Sequence, residues 1–201
     1  MTDKIDKEEI KMPETILFAL IYSKYKKYNI KPLFQSKEIY YVLAIELVYI
    51  CLQMTLFTGN YSAIKYAAML KNIYLCTYLG LILKHQLYKE AIIGSGFMFL
   101  GGMCNNLAIA ANGGKMPVFP SLSYLTSYAK PEAFTIAQQV ANDFHILGDE
   151  TAKLKVLTDV IDIGYSILSI GDVLIRIFVV LIIYGAIKKM NQWDKDIITC
   201  T

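Results

Sequence analysis

Few residues in this chain have types and spacing that could do chemistry, and the clearest pair lies inside an apolar run. SIGDVLIRIFVVLIIYGAIKK, from Ser169 to Lys189, carries Asp172 and Arg176. At helical spacing, residues four apart share a face. A charged side chain at the centre of a bilayer costs about 2.5–3.5 kcal/mol on insertion scales. Ser169-Ile-Gly-Asp172 fits the S-x-x-[DE] capping box ahead of an apolar run. A helix start near residue 170 then puts Asp172 in the first turn, where the macrodipole favours negative charge. Arg176 sits one turn deeper and either snorkels outward or pairs with Asp172. Asn105 and Asn106, in another apolar run, lie at matching depth, and Asn112 and Lys115 emerge at the same boundary. Together these residues make a candidate polar site; the competing account is a helix cap with an intrahelical pair, the asparagines serving as interhelical glue.

Four other groups have side chains that could act. His145 and Asp149, with Asp159 or Asp162, could supply metal ligands, but no second histidine and no HExxH accompany them, so no metal or cofactor is expected. A His–Asp couple could also act as an acid/base pair. Asn112-Gly113-Gly114-Lys115-Met-Pro117 is a tight turn whose backbone N–H groups could face an anion. Glu46 is the one acid well inside an apolar run, either proton-linked or protonated and bonded to a neighbouring helix. His85, beside Lys84, reads as an interfacial residue. No GxSxG, GxGxxG or Walker pattern occurs, so no catalytic residue is assigned.

The elements that position these residues are apolar helices. The 201 residues are 55% hydrophobic and only 18% charged, with mean hydropathy +0.41, which excludes an ordinary soluble domain. Crossing a hydrocarbon core takes about 20 apolar residues. After a charged tail (1–12), runs at about 39–58, 66–84 and 91–111 meet that length. A shorter run at 13–25 begins with Pro13 and Glu14, which suit a helix start. No small-residue cleavage site follows it. The last span covers 164–188, helical from about 170, ahead of a tail at 189–201. The net charge of +3 is small, and lysines gather beside the apolar runs, a topology signal rather than a nucleic-acid patch. Lys24–Lys37, Lys84 with Lys89, and Lys188 with Lys195 fall on one side under alternating crossings, which the positive-inside rule makes cytoplasmic. The Asn60–Lys65 turn and residues 112–163 then lie outside, and the C-terminus inside. Cys51, Cys76 and Cys104 sit within apolar runs and Cys200 in the tail, a pattern without a disulfide framework.

Within 112–163, PEAFTIAQQVANDFHILG suggests a helix over about 131–147, opened by Pro131 and closed by Gly148. Ala133, Ile136, Ala137, Val140, Ala141 and Phe144 form its apolar face. DETAKLKVLTDVIDIGY reads as a short strand or an extended link. Arg176 is the sole arginine among many lysines, isoleucines, tyrosines and asparagines, a composition that fits an AT-rich bacterial genome.

NNLAIAANGGKMPVFP, an external His145 and Thr151, LTDVID and LSIGDVLI together resemble an uncharacterised family of small bacterial membrane proteins. Its members show an asparagine-ended helix running into NGG-x-MPV and a closing SIGD span. The resemblance covers Lys24 to Gly185, is most specific at Asn112–Val118 and Ser169–Asp172, and departs at the N-terminus. It brings no activity with it. It implies that the NGGKMPV turn, His145, Asp159 and the SIGD start form one recurrent pattern on the external side.

The expected fold is an all-α polytopic membrane bundle of four or five spans in a cell membrane, capped outside by a small region. The expected function is ligand or peptide binding, sensing or transport assistance without catalysis, at a site made by Asn105, Asn106, Asn112, Gly113, Gly114, Lys115, His145, Asp159, Ser169, Asp172 and Arg176. The partners would be the lipid bilayer and a small ligand, a peptide or another membrane protein, not nucleic acid. The alternatives are a membrane enzyme acting on a lipid or peptide at the outer interface, and a structural subunit of a membrane complex.

Overall fold

A computed structural model describes residues 13–57, 67–141 and 144–199. The charged segment before Pro13, the Asn60–Lys65 turn and Cys200 lie outside the described residues. The element order is α1 (Pro13–Tyr25), α2 (Lys31–Gln35), α3 (Lys37–Phe57), α4 (Ala67–His85), α5 (Tyr88–Ala111), β1 (Met116–Val118), α6 (Leu122–Leu125), α7 (Pro131–Ala141), β2 (His145–Leu147), a 3₁₀ turn at Lys155–Leu157, β3 (Ile161–Asp162), β4 (Ile167–Leu168) and α8 (Ile170–Thr199). The chain is mostly helical, with a few small strands. Among the described residues, two stretches, Tyr88–Ala111 and Ile170–Trp193, are long and apolar enough to cross a membrane.

Helix α8 is the axis of the bundle. Ile175, Phe178, Val179, Ile182, Ile183, Ala186, Ile187 and Met190 are all buried, a three-and-four spacing that continues for more than four turns. Against this stripe packs α5, running the opposite way: Gly94 lies beside Phe178, Gly101 beside Gly171, and Glu90 beside Gly185. The absence of side chains at Gly101 and Gly171 lets the two backbones touch. A Cβ on either would collide with the other's carbonyl oxygen. Small residues at a helix crossing permit this close approach.

Helix α1 runs parallel to α8. Glu14 meets Arg176, Tyr22 meets Tyr184, and Asn29 meets Asn191. Each pair is separated by 162 residues (184 − 22 = 162 for the tyrosines, with the same separation for the other two). A constant offset means two helices rising together in register. The lower end is fixed by a reciprocal pair, Asn29 N–H to Asn191 Oδ1 at 2.7 Å and Asn191 Nδ2 to the Asn29 carbonyl at 2.8 Å. Helices α3 and α4 are antiparallel, joined by Tyr49 against Tyr74 and by Lys84 Nζ on Glu38 Oε2 at 2.6 Å. Tyr78 against Phe178 and His85 against Trp193 set α4 parallel to α8. The long helices therefore alternate in direction: α1, α4 and α8 one way, α3 and α5 the other.

Much of the outer surface is apolar. On α5, Ile92, Phe99, Leu100, Met103 and Leu107 are exposed in one stripe, opposite the face of Gly94, Gly101, Asn105 and Ala108 that meets α8. Leu17, Phe18 and Ile21 on α1, and Leu47, Val48 and Ile50 on α3, are likewise exposed.

Three expectations are corrected. The fold is not purely α. The helix placed at about 131–147 stops at Ala141, because His145–Leu147 pairs in parallel with Met116–Val118, and that ladder takes the backbone groups a longer helix would have used. Accordingly, Gly148 is not a helix cap; it packs where any Cβ would strike the Phe119 ring. The apolar face proposed for this helix falls mostly on side chains outside the described set. Finally, α8 does not end near residue 188 but continues to Thr199, its extension held by Asn191 and by Trp193 against His85.

Candidate functional site

Polar side chains collect at the end of the bundle where α8 begins. Ser169 precedes α8, and its backbone N–H donates to Asp172 Oδ2 at 2.9 Å, while Asp172 N–H donates to Ser169 Oγ at 2.9 Å. These are the two reciprocal bonds of a capping box. Asn105 of α5 closes the figure: its Nδ2 donates to Asp172 Oδ1 at 3.1 Å, and its Oδ1 accepts from Ser169 Oγ at 2.7 Å. Four bonds thus form a ring that ties the first turn of α8 to α5, next to the Gly101–Gly171 contact. Ser169 and Asn105 are buried, and their burial is tolerated because each is paired. Asn106, the next residue on α5, is exposed and faces away.

Arg176 does not pair with Asp172. Its Nη1 binds Glu14 Oε1 of α1 and lies 3.4 Å from Thr15 Oγ1. Tyr165, in the segment before α8, donates to the other Glu14 oxygen at 3.3 Å. Asp172 is already held by the capping ring, so its two oxygens face Asn105 and Ser169 rather than the arginine. The buried guanidinium finds its counter-charge on the parallel helix instead. The sequence marked Glu14 only as a first-turn acid; nothing local indicated that it would meet residue 176.

The NGG turn is a helix terminator. Gly113 and Gly114 have φ of +67° and +83°, the left-handed region that glycine enters without penalty. Asn112 N–H makes the last helical bond, to the Ala108 carbonyl at 3.2 Å, and Gly114 N–H returns to the Ile109 carbonyl at 2.9 Å, the six-to-one bond of a Schellman cap. Lys115 N–H also turns inward, to the Asn112 carbonyl at 3.3 Å. These three amides therefore do not form an outward-facing anion cradle. The Asn112 side chain is a brace: Nδ2 donates to the Ala108 and Lys153 carbonyls at 2.8 and 2.9 Å, and Oδ1 accepts from Lys153 N–H at 2.8 Å. It pins the 149–154 loop to the end of α5.

Beyond this turn, β1 sits between two segments. His145 is in register with Met116 on one side. On the other, Asp159 bridges to Val118, with Asp159 N–H on the Pro117 carbonyl at 3.2 Å and Phe119 N–H on the Asp159 carbonyl at 2.8 Å. Met116 and Val118 are two apart and share a face. His145 and Asp159 therefore lie on the same face, one at each edge of β1, and His145 Nε2 is 3.7 Å from Asp159 Oδ2. The Asp159 side chain is 6% exposed and that of His145 18%. The Phe144 ring lies 4.2 Å from the imidazole, centroid to centroid. The 3.7 Å between Nε2 and Oδ2 exceeds a direct hydrogen bond. Asp149 takes no part; its carboxylate accepts from Thr151 Oγ1 and N–H, and these bonds hold its pKa below the ordinary value.

A second carboxylate anchors the far side of the cap. Asp162 accepts from Ser123 Oγ at 2.6 Å and from the N–H groups of Ser121, Ser123 and Gly164 at 2.6–2.8 Å. Burial pulls its pKa up, but the bonds from Ser123, Ser121 and Gly164 outweigh it and leave the group below its ordinary value. The sequence offered Asp162 as a metal ligand; among the described residues no cluster of His, Cys, Asp and Glu could hold a metal ion.

Of the eleven candidate residues, Asn105, Ser169 and Asp172 form one ring, His145 and Asp159 form a pair, Asn112, Gly113, Gly114 and Lys115 build the turn that ends α5, Arg176 joins α1, and Asn106 stands apart on the exposed face. Comparison with curated proteins and with solved structures returns no match. A family model matches residues 30–184, a stretch that contains the NGG cap, the His145–Asp159 pair and the capping ring, and the chain belongs to that family, the family of unknown function DUF5317.

Proposed function

We propose that this chain is a polytopic bacterial membrane protein that binds a ligand or peptide at the extracytoplasmic boundary without transforming it. In this reading α1, α3, α4, α5 and α8 make five alternating crossings, and residues 112–168 form the external cap. The alternation of helix directions, the lysines grouped at one end and the apolar outer surfaces of α1, α3 and α5 support it. Because α1 rises in register with α8, its Pro13 end shares the external side.

The observation that carries the binding reading is the His145–Asp159 pair. It is set at the two edges of β1, mostly buried, with Nε2 and Oδ2 3.7 Å apart, close enough for one bound group to meet both. A ligand would be recognised by an imidazole and a carboxylate held in a rigid frame, a combination suited to a group bearing both donors and acceptors, such as a peptide amide. The test is purification of the full chain from native membranes, with copurifying species identified by mass spectrometry for the wild type, His145→Ala and Asp159→Asn. A species retained by the wild type and lost from both variants, at equal protein recovery, supports the proposal. Recovery of the same species from all three, or of a chemically altered product, overturns it.

A further inference from the structure

A second polar group lies inside the bundle, away from the cap. Glu46 of α3 is 4% exposed, about nine residues from the start of that helix, or about 14 Å at 1.5 Å per residue. Facing it, α4 presents Tyr74, Tyr78 and His85, which fall at positions i, i+4 and i+11 on one buried face. The Tyr74 and Tyr78 hydroxyls are 2.6 Å apart, so one donates to the other, and Glu46 lies one turn of α3 before Tyr49. Tyr49 packs edge-on against Tyr74, and Phe178 of α8 seals Tyr78. At the end of this face His85 is 2% exposed, and among the described residues neither ring nitrogen has a hydrogen-bond partner. Lys84 points away to Glu38 and Ser36. Trp193 covers the imidazole on the α8 side at 5.4 Å.

We propose that Glu46 with the Tyr74–Tyr78 hydroxyl pair is a proton-binding site in the interior of the bundle, with His85 as the titratable group on its cytoplasmic side. An ionised carboxylate deep in a low-dielectric layer is costly, and an acid there is a functional element by default. The site takes one proton onto the Glu46 carboxylate, giving a neutral carboxylic acid, and releases it again; no other bond changes. A phenol hydroxyl can donate to the carboxyl group in either state and can accept from it only when it is protonated. Tyr78 and His85 are seven residues apart, about 10 Å along the helix, so a proton crosses that interval through bridging water, for which the unpartnered imidazole nitrogens provide a terminus.

This inference rests on the membrane placement proposed above. The experiment is infrared difference spectroscopy of the full chain in phospholipid vesicles, with flotation of the vesicles first establishing membrane insertion as a separate result. At neutral pH the wild type should show the C=O stretch of a protonated carboxylic acid that is absent from Glu46→Gln and shifted in frequency in Tyr78→Phe. Glu46→Gln should unfold at the wild-type temperature, since a neutral amide replaces a neutral acid. If inserted protein shows no carboxylic acid band that Glu46→Gln removes, the proposal is overturned while the membrane reading stands. Should the variant fail to accumulate, modification of the wild type by a lipid-soluble carbodiimide, which reacts with protonated carboxyls, decides. An adduct mapped to Glu46 supports the site, and its absence overturns it.

Discussion

The Arg176 guanidinium binds the Glu14 carboxylate, and this contact fastens the first described helix to the last at the end where the cap begins. Arg176 is the sole arginine of the chain, its side chain is 9% exposed, and Glu14 is 27% exposed. With Tyr165 on the second Glu14 oxygen, the pair joins α1, α8 and the segment leading into α8.

Removing either partner strands the other. Breaking a fully buried pair costs about 3–5 kcal/mol; the partial exposure of Glu14 reduces this to about 2 kcal/mol. Glu14→Gln and Arg176→Gln should each lower thermal stability in detergent, and the double variant should cost less than their sum. Asp172→Asn and Arg176→Gln should instead add independently. A coupling found for Asp172 and absent for Glu14 would refute the assignment.

The capping ring predicts a second effect. Ser169→Ala loses the cap bond and the bond to Asn105, and caps of this kind are worth about 1 kcal/mol. Asn105→Leu should be worse, about 2 kcal/mol, because buried Ser169 then loses an acceptor and Asp172 a donor. Asn106→Leu, on the exposed side, should leave the unfolding midpoint within error.

Backbone contact between α5 and α8 can be probed by adding one methyl group. Gly101→Ala and Gly171→Ala each push a Cβ into the opposite carbonyl and should destabilise by about 1–3 kcal/mol. Gly96→Ala and Gly102→Ala meet nothing within 4 Å and should be neutral or slightly stabilising. Equal behaviour of all four would contradict the packing.

The cap should loosen in acid through Asp162. Its folded pKa is depressed below the ordinary value of 3.8, so its stabilising contribution is present above 3.8 and is lost as pH falls through the lower folded value. Asp162→Asn should remove this acid dependence from hydrogen exchange of Ser121, Ser123 and Gly164 amides, and weaken the cap at neutral pH by about 2 kcal/mol. Exchange in the variant that still follows the wild-type acid profile would count against it.

What the sequence made legible was local. Ser169 and Asp172 read as a capping box because both halves of that motif lie within one turn. The NGG turn read as a turn because glycine is the residue for positive φ. His145 and Asp159 were both picked out, yet their pairing depends on β1 lying between them. A parallel strand of three residues leaves almost no periodic signal. The same blindness placed His145 on a helix, since PEAFTIAQQV begins with true helical spacing and only the ladder to Met116 stops it. Glu14 was missed for a related reason: its partner is 162 residues away, and only the in-register pairing of α1 with α8 brings them together. The glycines of GSGFMFLGG held a signal that could have been used, because Gly94, Gly101, Asn105 and Ala108 fall on one helix face.

The side of the membrane that the cap occupies decides the proposed topology. Single cysteines at Glu150, Lys89 and Lys188, all exposed, in a chain lacking its native cysteines, can be challenged in intact cells with a membrane-impermeant maleimide. Glu150→Cys should be labelled before permeabilisation, and Lys89→Cys and Lys188→Cys only after it. Labelling of all three in intact cells, or of Lys188→Cys alone, would contradict an extracytoplasmic cap carried by alternating membrane helices.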